Sequence, residues 1–169
     1  MQVPGMTEFL VMTPEVHDAM CALALAEYPL EACGLLAGER SVQGDRVIRF
    51  FPCRNTEQSA RIYTLDPKDH LRAERAAEDA GLEILGVMHS HTHTEAYPSP
   101  TDVAAAPDPG WHYVIVTLKR EKPEARTYRI TGTTGTSGTT GAAGAGPITE
   151  VRLDVRPDIR PDVRPDVRP

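Results

Sequence analysis

The run LEILGVMHSHTHTEAYPSPTDVAAA, Leu82 to Ala106, anchors the reading of this chain. Its first part, through His91, is an apolar stretch of strand character that follows Gly81. The segment Ser99-Pro100-Thr101-Asp102-Val103 and the alanines after it read as a helix start. Between them lies TEAYPSP, a turn-rich loop able to fold the new helix back over the end of the strand. A buried strand that runs straight into polar residues at its end, and from there into a helix, points to an α/β arrangement.

Element signals alternate on both sides. Upstream, EFLVM reads as a short strand, and Thr13-Pro14 opens a helix that runs to about Glu27, where Pro29 ends it. Val16, Met20 and Leu23 are expected on the inner face of that helix. ACGLLAGE is an apolar strand closed by Gly38, DRVIRFFPCRN its hairpin partner, and RIYTL a third strand. Asp66-Pro67 repeats the capping signature for a helix closed by Gly81. Downstream, WHYVIVTL and EARTYRI read as paired strands, and ITEVRLDV as a last one. With helices separating strands, the expected fold is α/β, a mixed central β-sheet sandwiched by helices.

Residues 1–130 therefore form the expected core. TGTTGTSGTTGAAGAG, 131–146, contains only Gly, Thr, Ser and Ala and is read as a flexible insertion, an expanded turn between two paired strands. Residues 147–155 make the final strand, and the RPD repeat at 156–169 is expected to be extended and solvated, because its prolines forbid helix and ladder alike. The 169 residues carry 18 basic against 24 acidic side chains, a net charge of −6 with no basic patch, which gives nucleic-acid binding little electrostatic support. No apolar run is long enough to span a bilayer, and the N-terminus lacks a signal pattern. Cys21, Cys33 and Cys53 are odd in number and show no CxxC spacing, so a reducing, cytoplasmic setting is expected.

His89, His91 and His93 alternate, and all three, some or none could be metal ligands. Side chains on a strand alternate faces, so His89 and His91 point the same way and Ser90 the other. His93 shares that face only if the strand continues, and the following loop argues that it does not. Two histidines at a strand end plus one carboxylate match the count of a catalytic zinc site, which keeps a fourth position for water. Asp102 is the natural third ligand. Such a site also needs a base, usually a glutamate, which spacing alone does not identify. Ser99 could donate to a developing oxyanion or cap the helix that follows, and both roles are compatible.

His89-x-His91, seven residues, Ser99, two residues, Asp102 resembles the JAMM (MPN+) metalloprotease motif, and EACGLLAG, Glu31 to Gly38, resembles the strand on which that family carries its glutamate. PCRN and YTLDP belong to the same match, which covers roughly residues 8–130. The resemblance implies that His89, His91 and Asp102 bind Zn²⁺, that Glu31 activates water and that Ser99 stabilises the tetrahedral intermediate. It implies the MPN/JAB fold, similar to cytidine deaminases. It also implies hydrolysis of an amide bond after the C-terminal glycine of a ubiquitin-like protein. TEAYPSPTD looks most like the bacterial Mec branch, whose members release cysteine from a ubiquitin-like sulphur-carrier protein. An isopeptidase acting on other ubiquitin-like conjugates and a non-catalytic carrier-binding scaffold are the competing expectations. Cys33 beside Glu31 reads as a buried small residue rather than a nucleophile, and Tyr97 and Trp111 as groove-lining or core residues.

Overall fold

Thr13 and Pro14 start the first helix as the sequence predicts. The Thr13 hydroxyl accepts from the Val16 amide at 3.3 Å, and proline takes the first helical position, where its missing N–H costs nothing. The computed structural model describes residues 8–131 and 148–157. In chain order these form β1 (Phe9–Met12), α1 (Pro14–Glu27), β2 (Cys33–Glu39), β3 (Asp45–Cys53), α2 (Pro67–Asp79), β4 (Glu83–His91), α3 (Pro100–Ala105), β5 (His112–Thr117), β6 (Glu124–Ile130) and β7 (Ile148–Val155). The expected insertion and the RPD tail lie outside the described residues, apart from Thr131, Arg156 and Pro157.

The sheet is mixed, as expected, and it closes on itself in the order β1-β3-β2-β4-β5-β6-β7. Closure depends on β1, which pairs in parallel with both β3 and β7. β6 and β7 are antiparallel, with Ile130 opposite Ile148. Helices pack on two different faces of the strands. Val16, Met20 and Ala24 of α1 join Leu36, Leu85, Met88, Val114 and Val116 in one cluster, while Ala73 of α2 joins Leu35, Val87, Tyr113 and Ile130 in another. Each fully buried Leu or Met contributes about 1.5–3 kcal/mol. A register shift between Leu36 and Ala37 leaves Leu85 as an extra residue in β4, so Leu85 and Met88 both face α1 while Ile84 and Val87 face α2. At Gly86 a side chain is excluded, because a Cβ there would lie 2.0 Å from the His112 carbonyl oxygen.

Three local expectations need correction. Leu23 is only half-buried, and Ala24 takes its place because the buried positions Val16, Met20 and Ala24 follow strict i, i+4 spacing. β2 does not end at Gly38 but continues through a bulge to Glu39. RIYTL forms no strand ladder; a single bridge joins Asn55 to Leu65. The Asn55 side chain supplies what a ladder would have supplied, donating to the Ile62 carbonyl at 3.0 Å and accepting from the Thr64 amide at 3.0 Å. The segment is thereby held as a loop at the mouth of the candidate site. Among the described residues no helix is long and apolar enough to cross a membrane.

Candidate metal centre

His89 and His91 end β4 on one face, both buried. Their Nε2 atoms lie 3.1 Å apart, and each approaches the same oxygen of Asp102, at 3.3 Å from His89 and 3.2 Å from His91. Asp102 reaches them from α3, whose start is built as a capping box. The Ser99 hydroxyl accepts from the Asp102 amide at 3.1 Å, and Asp102 Oδ2 accepts from the Ser99 amide at 2.7 Å. These three side chains form a group able to hold a metal ion, with ligand atoms all within 4.8 Å of one another.

The orientation of the ligands is fixed from behind. His91 Nδ1 sits 2.8 Å from the Glu95 carbonyl. In the neutral ring that bond takes the Nδ1 proton and leaves the Nε2 lone pair directed at the centre of the group. The His89 ring stacks on Tyr63, with centroids 4.4 Å apart and planes at 19°. Burial alone would raise the Asp102 carboxyl, but its hydrogen bonds with the two histidines outweigh it and hold the group far below the usual carboxylate range. Burial lowers His89, and for His91 the Asp102 and Glu95 contacts reverse that effect and raise it.

Glu31 lies just before β2, on the other side of a non-local strand pair. β2 and β4 are antiparallel with Cys33 opposite His89, and this register extended past the end of β2 sets Glu31 across from His91. Ser90 holds the extension. Its hydroxyl accepts from the Ala32 amide at 2.8 Å, and its own amide donates to the Ala32 carbonyl at 3.0 Å. The loop after β3 completes the clamp: the Glu31 amide donates to the Ser59 carbonyl at 2.8 Å, and Asn55 Nδ2 donates to the Glu31 carbonyl at 3.1 Å. The Glu31 side chain is 3% exposed, and among the described residues its Oε2 has no hydrogen-bond partner. Burial raises its pKa to about 7, with His91 opposing and Asp102 adding to the shift. A carboxyl poised there can both take and return a proton near neutral pH.

Glu31, His91 and Ser99 line one cavity of about 520 Å³, together with Ala60, Arg61, Thr92, His93, Thr94 and Thr101. The structure thus brings together all five residues singled out in the sequence. His93 stays outside the ligand group; its Nδ1 meets the Thr92 hydroxyl at 2.8 Å and its ring lies 6.0 Å from that of Tyr28. Cys33 is buried and its thiol pushed up to about 12 by burial first and by Cys53 next, which leaves it unreactive. Tyr97 packs edge-on against Tyr128, and Trp111 packs against the α2 cluster; neither lines the cavity. Ser90 and Asn55 escape a reading of the sequence. Alternation shows that Ser90 faces away from the histidines, but its partner Ala32 is visible only once β2 is known to pair with β4.

Comparison with known proteins agrees with this geometry. The family model for prokaryotic homologs of the JAB domain matches residues 13–131. The CysO-cysteine peptidase of Mycobacterium tuberculosis (strain ATCC 25618 / H37Rv) is 43% identical over 127 residues, 75% of this chain and 86% of that protein. The desampylase of Haloferax volcanii is 36% identical over 93 residues, 54% of this chain and 66% of that protein. A solution structure of a Desulfitobacterium hafniense protein superposes with a TM-score of 0.74 at 29% identity, covering 89% of this chain and 94% of the other. The match spans β4, α3 and the strand pair that carries Glu31 to the histidines, and the chain belongs to the prokaryotic JAB-domain family.

Proposed function

We propose that this protein is a zinc-dependent peptidase that cleaves the amide bond after the C-terminal glycine of a ubiquitin-like sulphur-carrier protein and releases cysteine. The observation that carries this reading is the convergence of His89 Nε2, His91 Nε2 and Asp102 Oδ2 at 3.1–3.3 Å, with Glu31, whose Oε2 has no hydrogen-bond partner among the described residues, lining a cavity together with His91. Tetrahedral zinc with bonds of about 2.0–2.1 Å sets its ligand atoms roughly 3.3–3.4 Å apart. The three side chains therefore fit that ion in donor type and spacing. The 43% identity to a CysO-cysteine peptidase supports the choice of substrate.

Zinc held by His89, His91 and Asp102 would supply Lewis acidity to the scissile carbonyl and to a water. Glu31 takes the proton from the attacking water and delivers it to the leaving amine, a shuttle suited to a carboxyl raised to about 7. The Ser99 oxygen accepts from the Asp102 amide, which leaves its hydroxyl proton free to donate to the oxyanion. The Asn55 and Ser59 contacts to Glu31 and the Ser90 contacts to Ala32 hold this stretch of backbone still while the proton moves.

The purified chain should carry one zinc per molecule by elemental analysis and release cysteine from a carrier ending in Gly-Cys. Glu31→Gln should keep its metal while hydrolysis falls by about 10²–10⁴-fold. Absence of stoichiometric zinc, or full activity in that variant, would overturn the reading. A second reading, cleavage of isopeptide conjugates, is favoured by the likeness to a desampylase. Offering a carrier–lysine conjugate beside the carrier–cysteine adduct separates the two by which is cut.

A further inference from the structure

Arg61, an exposed residue, lines the cavity that also holds Glu31 and His91, and the stretch of backbone around it is held by hydrogen bonds on both sides. The Ser59 carbonyl accepts from the Glu31 amide at 2.8 Å, the Ala60 carbonyl from the Thr92 hydroxyl at 3.4 Å, and the Ile62 carbonyl from Asn55 Nδ2 at 3.0 Å. The Arg61 amide itself donates to Ser59 Oγ at 3.1 Å. These bonds tie the residue to both walls of the cleft, to Glu31 on one and to the residue after His91 on the other. Its guanidinium, by contrast, has no carboxylate partner among the described residues. Several other cations are compensated. Lys119 and Arg120 both pair with Glu95 at 2.9 Å, and Arg54 pairs with Asp69 at 3.1 Å.

An uncompensated arginine carried on a fixed stretch of backbone that lines a reaction cavity selects an anion, and the planar fork of its guanidinium suits a carboxylate. The substrate class proposed above offers little choice of anion. A glycine tail has no side chains, so the charge next to the scissile bond is the free α-carboxylate of the single residue being released. An isopeptide conjugate has no such carboxylate at that place. We infer that Arg61 is a specificity-determining residue that binds the terminal α-carboxylate of the released amino acid. This rests on the peptidase reading of the site and deepens it.

The test uses full-length, zinc-loaded protein and two probes, CysO extended by one C-terminal cysteine, prepared as the free acid and as the carboxamide. Wild type should prefer the acid by about 10- to 100-fold in kcat/KM, the range expected for one charge-assisted pair, and chiefly through KM. Arg61→Ala should bring that ratio close to one by losing rate on the acid, and Arg61→Lys should retain part of the preference. Equal cleavage of acid and amide by wild type would overturn the inference, as would an undiminished preference in Arg61→Ala or an equal loss on both probes. Cleavage of neither probe by wild type is a separate result, since it would overturn the peptidase reading itself.

Discussion

The two ends of the barrel each bury a histidine against an aspartate, and they use the pair differently. Where β4 ends, two imidazoles converge on one oxygen of Asp102, and Glu31, whose Oε2 is without a hydrogen-bond partner among the described residues, lines a cavity with His91. At the other end His112, fully buried at the start of β5, meets Asp45 Oδ2 at 2.9 Å. Asp45 there is also engaged by Arg40 at 3.1 Å, by Arg129 at 3.5 Å and by the Ser41 amide at 3.2 Å. None of these residues lines the cavity. A histidine–aspartate contact is thus not in itself a sign of chemistry. When arginines neutralise the carboxylate and one ring completes its partners, the pair is a strut between β3 and β5. When two ring nitrogens and a carboxylate oxygen converge within 3.3 Å of one another, the group can hold a cation.

The strongest way to break this contrast is His91→Ala, which should abolish stoichiometric zinc and bring hydrolysis below detection, read by elemental analysis and cysteine release. His112→Ala should do the reverse, keeping zinc while losing about 2–3 kcal/mol in a urea melt, because Asp45 keeps its arginines but a buried partner is gone. Ser90→Ala probes the bond between the two regions of the site. It leaves the Ala32 amide buried without its acceptor, so stability should fall by about 1–3 kcal/mol and kcat by roughly tenfold, with zinc retained.

A pH titration of stability sharpens the strut end. Burial alone would raise Asp45, but the hydrogen bond from His112, the Ser41 amide and Arg40 together set its folded pKa below the ordinary carboxylate value. A carboxyl shifted in that direction stabilises the fold above its unfolded pKa of about 3.9, and the contribution is lost as pH falls through the folded value. Stability should therefore decline below about pH 4 in the wild type, and Asp45→Asn should show a shallower decline there. The smallest effect belongs to His93→Ala, which should keep full zinc occupancy.

Much of the site was legible because its parts are local. Strand alternation puts His89 and His91 on one face, and a short loop brings Ser99 and Asp102 back to them. The position of Glu31 was not, since it depends on β2 lying antiparallel to β4, a pairing no window of sequence contains; here the family resemblance supplied what spacing could not. RIYTL misleads because Ile62, Tyr63 and Leu65 have strand-forming side chains, whereas Asn55, at a distance in sequence, takes the backbone bonds that a ladder would need. Leu23 was misplaced by a single position on a helix whose buried stripe ends in a small alanine. Closure of the sheet by β1 against β7 joins the two ends of the described chain and leaves no local trace.

One oxygen of Asp102 serves two masters. The atom that meets both imidazoles also accepts the Ser99 amide that begins α3. Affinity for an ion held there and the winding of that short helix would consequently be a single coupled equilibrium, with reciprocal coupling. Any change that frays the first turn of α3 must loosen the ion by the same factor by which the ion steadies the turn. Loading the centre should then slow amide exchange at the start of α3, so that a six-residue helix reports the occupancy of the site to which it lends Asp102.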